Sequence, residues 1–119
     1  MRRTILAAVL FAFATPVLAA NYPVAGGWGV GAPPSKDAID CSKLRVIAFN
    51  GNQRTDSKGG VPAYRNVSVT AAGGGYRIVD EFTTGQISAA RVNYTLRLVD
   101  ANHVEMTQGG DTLKLQRCK

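Results

Sequence analysis

Few side chains in this 119-residue chain are suited to chemistry, and their spacing limits what they can do together. His103 is the single histidine, so no second imidazole is at hand for acid–base work or for a metal. Asp80 and Glu81 are adjacent carboxylates. In an extended strand they point to opposite faces, which rules them out as a catalytic pair and requires one of them to face inward or to sit at a bulge or barrel rim. Cys41 and Cys118 are the only cysteines, and with one histidine they fall short of the four ligands of a structural zinc site. The stretch "RTDSKGG" at 54–60 has the composition of an anion nest but not the spacing of a phosphate-binding loop. No catalytic residue, cofactor site or metal site is predicted, and the chain reads as a non-enzyme.

What the two cysteines do depends on where the chain resides. Residues 1–19 begin with Arg2 and Arg3, run through an apolar stretch and end in small residues, which predicts a signal peptide cleaved after Ala19 or Ala20. The apolar run is shorter than the ~20 residues a membrane span needs, so no transmembrane anchor is expected in the mature form. The expected location is periplasmic or secreted. There, two cysteines most simply form one disulfide, Cys41 to Cys118. It would close nearly the whole domain, with a chain-entropy contribution of about 4 kcal/mol.

What remains is a single domain of about 99 residues. The whole chain carries 14 basic against 8 acidic residues, a formal charge of +6 that falls to +4 once Arg2 and Arg3 are removed. The remaining basic residues are scattered, with no cluster interleaved with aromatics, which excludes a nucleic-acid footprint.

These residues are carried on strands. "RVNYTLRLVD" alternates, with Val92, Tyr94, Leu96 and Leu98 on one face and Arg91, Asn93, Thr95 and Arg97 on the other. "HVEMTQ" places Val104 and Met106 inside and His103 outside, and Gly109-Gly110 turns it into "TLKLQRC". "KLRVIAF", "NVSVTA" and "YRIVDEF" complete six strands, with a further one at Trp28 inside an otherwise irregular segment, 20–40; residues 41–119 form the rest of the β-domain. Consecutive antiparallel strands with short turns predict a small up-and-down barrel of about 6–8 strands, with a two-sheet sandwich as runner-up. Residues 50–66 are long for a hairpin connection, so Arg54, Asp56, Lys58, Tyr64 and Arg65 are assigned to a mobile loop and form the candidate interaction surface. Arg54 and Lys58 are accordingly expected to tolerate replacement by serine. Tyr64, Tyr76 and Tyr94 are assigned to core or rim packing.

The last strand carries an arginine on its inward face, since Arg117 shares parity with Leu113 and Leu115. A buried guanidinium needs acceptors or an aromatic surface. In a closed barrel the first and last strands are neighbours, so Arg117 is expected to lie across Trp28 at one end, while Cys118 points outward to Cys41.

Gly26-Gly27-Trp28 and Arg117 together resemble the calycins, the group of lipocalins, avidins and bacterial metalloproteinase inhibitors. In that group a Gly-x-Trp opens the first strand and a basic residue near the end of the last strand packs on the tryptophan. The resemblance covers those residues and the meander pattern. It implies an exported protein that binds rather than catalyses: a protein-binding module of the protease-inhibitor kind, using "ANYPVAGG" as an exposed extended segment. The alternatives are a carrier of a small apolar ligand and a structural envelope protein with no ligand. The expected partners are another exported protein or a small apolar molecule.

Overall fold

The computed structural model describes residues 21–58, 63–83 and 89–119. The predicted signal peptide lies outside the described residues. Eight strands follow one another: β1 (Gly26–Val30), β2 (Arg45–Asn50), β3 (Gln53–Asp56), β4 (Ala63–Ala72), β5 (Gly75–Phe82), β6 (Arg91–Asp100), β7 (His103–Gln108) and β8 (Asp111–Arg117). Each pairs antiparallel with the next, and β1 pairs with β8, so the sheet is a closed up-and-down barrel. Closure leaves the first and last strands no free edge where they meet. The sandwich is thereby excluded, and the strand number sits at the top of the expected range.

Alternation sets the interior. Trp28, Ile47, Phe49, Ile78, Tyr94, Leu96, Val104, Met106 and Leu115 are buried in one cluster, and Tyr22 joins them from ahead of β1. Burying each such side chain contributes roughly 1.5–3 kcal/mol. An eight-stranded barrel is just wide enough for its inward side chains to fill it.

Three expectations need correction. Residues 50–66 are not one loop. Gly51 adopts a positive φ of 65°, which allows a tight β2–β3 turn, and "QRTD" becomes strand β3. Arg54 is only 3 % exposed and Asp56 only 6 %, so neither belongs to a mobile interaction surface. Leu98, expected inside, is 39 % exposed, because β5 pairs with β6 no further than Tyr76 opposite Leu96, and the β6–β7 register shifts between Leu98 and Asp100.

Residues 31–44 do not cross the barrel mouth. They run as a strap over the outside, and beyond the His103 end of β7 they take its place beside β8. The Ile39 amide donates to Arg117 O at 2.8 Å, and the Lys119 amide to Ile39 O at 2.8 Å.

Candidate functional site

Strand β1 is built to be covered on both faces. Trp28 points inward and is 1 % exposed, its Nε1 donating to Ala25 O at 3.1 Å. Arg117 lies directly opposite in register, with its Cζ 4.7 Å from the centroid of the tryptophan ring and its Nε donating to Ala101 O at 2.8 Å. The guanidinium therefore has an aromatic face and a backbone acceptor at the same end of the barrel. On the outer face of β1 lies the Cys41–Cys118 disulfide, with an S–S distance of 2.03 Å and Cα atoms 5.6 Å apart. A side chain at Gly29 would put its Cβ 2.9 Å from Cys41 Sγ and 2.9 Å from Leu44 Cδ1. Glycine on the far side of the tryptophan is what lets the bridge and the strap lie flat.

The strap has further anchors. Gln116, buried on the outer face of β8, donates from Nε2 to Ala32 O at 3.1 Å and Pro33 O at 2.9 Å, and accepts from the Ser35 amide at 2.9 Å. Asn102 donates to Lys36 O at 3.0 Å. His103 is half-buried rather than free in solvent, with Nδ1 2.7 Å from Asp100 Oδ1 and Nε2 2.5 Å from Ser35 O. Both neighbours can only accept, so the ring is held best when both nitrogens carry protons. The Asp100 hydrogen bond, and then the Ser35 carbonyl, raise the imidazole pKa above its ordinary value.

Beside the strap an apolar groove of about 180 Å³ opens between Ala32, Pro34 and Val99, with Glu105 and Lys114 at its walls. Small-molecule sites usually run to about 300–1,000 Å³. This groove is of a size for one anchoring side chain.

Inside the barrel, Arg54, Tyr64 and Asn66 of the predicted loop join Asp80 and Tyr94 in a buried polar cluster. Arg54 Nε donates to Asp80 Oδ2 at 2.7 Å, and Tyr94 Oη donates to the same oxygen at 2.7 Å. Asn66 Nδ2 reaches Asp80 Oδ1 at 3.2 Å and is shared with the carbonyls of Ser68 and Val79. The guanidinium of Arg54 lies over two rings, 3.8 Å from the centroid of Tyr64 and 4.8 Å from that of Tyr94. Asp80 is thus the carboxylate that turns inward, and it lies beside the register shift between Asn66 and Ser68. Glu81 points out and is bonded by Arg65 through Nε at 2.9 Å.

Burial and then the Asp80 charge raise the pKa of Tyr22, which enters this end of the barrel with its ring edge-on to Phe49 at 4.9 Å. Its amide is tied to Gly51 O at 3.0 Å. Burial is also the main cause that pushes Tyr94 up, with Asp80 adding to it against the pull of Arg54. Both phenols therefore stay protonated. "ANYPVAGG" is accordingly not free along its length, because Tyr22 is 7 % exposed.

Of the remaining residues assigned to the loop, Asp56 is gripped by Arg45 through two bonds, Nε to Oδ1 at 3.0 Å and Nη2 to Oδ2 at 2.7 Å. Burial alone would raise its pKa. The Arg45 fork and the Lys58 amide outweigh burial and hold it below the ordinary carboxylate value. Only Lys58 and Arg65 are exposed. The structure thus brings Arg54 and Tyr64 together and disperses the rest. Among the described residues, no group of three or more His, Cys, Asp or Glu side chains is placed to hold a metal ion.

No protein-family model matches this chain, and neither does any curated protein or solved structure.

Proposed function

We propose that this chain is an exported, non-catalytic protein-binding module with a calycin-like barrel. One observation carries the reading: the barrel interior is occupied by its own side chains, down to the Arg54–Asp80 pair and the inserted Tyr22. Any partner must then be met from outside. The groove between the strap and the β7–β8 hairpin is a small, mainly apolar hollow on that outer surface with charged walls, as an anchor-residue pocket is. Export is supported by the leader-like composition of residues 1–19 and by the disulfide, which suits an oxidising compartment. A protease-inhibitor mode through a free N-terminal segment is the weaker version, since Tyr22 is drawn into the core.

The test is native mass spectrometry of the protein purified from its own envelope, together with a photo-crosslinking residue placed at Lys114 or, as a control, at Thr95. The expected result is the bare chain or a complex with a second protein, and a discrete protein adduct from position 114 only. A co-purified apolar small molecule would overturn the reading in favour of a carrier.

A further inference from the structure

Strand β4 outruns its neighbour. It pairs with β3 only from Ala63 to Arg65, and the Asn66 amide adds one bond to Asn52 O at 2.8 Å. Along residues 67–72 the chain has β5 on one side and, among the described residues, no strand on the other. That stretch, "VSVTAA", holds no charge and no proline, and Thr70 and Ala71 are exposed. Monomeric proteins shield such edges with lysines, prolines or bulges along the edge itself. Here the only irregularity, between Asn66 and Ser68, comes before the open stretch and leaves the rest of it regular.

The turn at its end determines which backbone groups are free. Ala72 pairs with Gly75 across Gly73 and Gly74, both at positive φ (50° and 87°). In a two-residue loop of this kind the closing pair exchanges hydrogen bonds. Alternation then turns the N–H and C=O groups of Ser68, Thr70 and Ala72 toward β5, and those of Val69 and Ala71 toward the open side.

We propose that this edge is a self-association interface, in which β4 of one copy pairs antiparallel with β4 of a second about a two-fold axis at Thr70. In that register Val69 of each copy lies opposite Ala71 of the other, and each pair exchanges two backbone hydrogen bonds. Thr70 faces its own copy in the non-hydrogen-bonded position, where side chains come closest and threonine pairs are favourable. The open stretch matches itself in length. Its end is a turn of glycines, which brings no side chains against the partner's β2–β3 turn.

Charge does not oppose the pairing. The nearest charged side chain beside Thr70 is Arg77, on β5 and away from the axis. The two copies of Arg77 would stand three strand spacings apart, roughly 14 Å. That exceeds the screening length of about 8 Å at physiological salt. This interface lies on a different part of the barrel from the groove between the strap and β7–β8, so it stands or falls independently of the binding reading.

The experiment uses the mature chain with its disulfide intact. Both native cysteines are bonded, so an introduced thiol is the only free one. Sedimentation velocity up to about 100 µM, a range in which weak homodimers populate, should show a concentration-dependent dimer for the native sequence. Thr70→Lys should weaken it at least about tenfold, because like charges then face each other directly. Thr70→Cys should oxidise to a covalent dimer, and the exposed control Thr95→Cys should not. A native chain that stays monomeric overturns the proposal. So does a dimer that ignores Thr70→Lys, or a Thr70→Cys that links no faster than the control. A foreign protein found cross-linked at position 70 in the native envelope would give the edge a different occupant and equally refute it.

Discussion

Loss of Asp80 should damage the barrel interior severely. The residue is fully buried and accepts from Arg54, Tyr94 and Asn66 at once. Asp80→Ala would leave a guanidinium that is 3 % exposed without its ion-pair partner, and a phenol without its acceptor. Removing one partner of a buried ion pair costs about 3–5 kcal/mol. In a domain of this size each kcal/mol is about 4–8 °C in Tm, so the fall should be on the order of 15–30 °C. Arg54→Met combined with Asp80→Ala removes the stranded charge, and the double variant should be more stable than Asp80→Ala alone. Urea unfolding followed by the fluorescence of Trp28, the only tryptophan, reads both variants. A cost below about 1 kcal/mol for Asp80→Ala, or strict additivity of the two substitutions, would show that the pair does not hold the interior together.

Three further outcomes follow from the same geometry. Arg117→Ala and Trp28→Ala should each cost roughly 2–4 kcal/mol, and urea titration of the double variant should give clearly less than their sum, because the two side chains share one contact. Gly29→Ala should lower Tm, by about 1–3 kcal/mol in stability, since its Cβ would press on the disulfide sulfur and Leu44; an unchanged melting curve would mean the strap gives way freely. His103 has a raised pKa, so its contribution is complete below its unfolded value near 6.5 and is lost as pH rises through the folded value. The Tm difference between the native chain and His103→Gln should therefore shrink as pH rises above about 6.5, and a difference that grows would refute the two-acceptor geometry.

Where the sequence could be read and where it could not has a physical basis. Strand β6 was legible because it alternates apolar and polar residues over eight positions, and β4, β7 and β8 because they do so over five or six; the β4–β5 and β7–β8 turns carry glycine, while β5 was read as a strand despite its Ile78-Val79 and Asp80-Glu81 pairs. Arg117 was legible by parity alone. Strand β3 was not, because "QRTD" offers no apolar residue to mark its inward face. Arg54 and Asp56 point inward all the same, since Asp80 and Arg45 neutralise them. The signal was half present in "YRIVDEF", where Asp80 shares parity with Ile78 and so asks for a buried cation. Nothing in the order of residues says that the cation lies on the four polar residues of β3. Gln116 was hidden for a related reason. Its outward parity reads as solvent-exposed until the strap is known to cross it, and only the cysteine two positions later hints that something lies on that face.

The strand that joins these features is β1, five residues long. In β1 the parity rule gives successive residues opposite duties: Trp28 faces Arg117 inside, while Gly27 and Gly29 lie under the disulfide outside. One end of the barrel is therefore closed from within and clamped from without through the same five residues. The strap that the disulfide clamps also forms one wall of the outer groove, so loosening Gln116, His103 or the bridge should change the groove before it changes the core. The open edge of β4 belongs to a separate hairpin, distant from these ties in sequence and held chiefly by β5. The two surfaces proposed for recognition thus differ in kind. One is a pocket wall fixed by a covalent bridge and buried side-chain bonds, and the other is a line of bare backbone whose partner need supply only a matching strand.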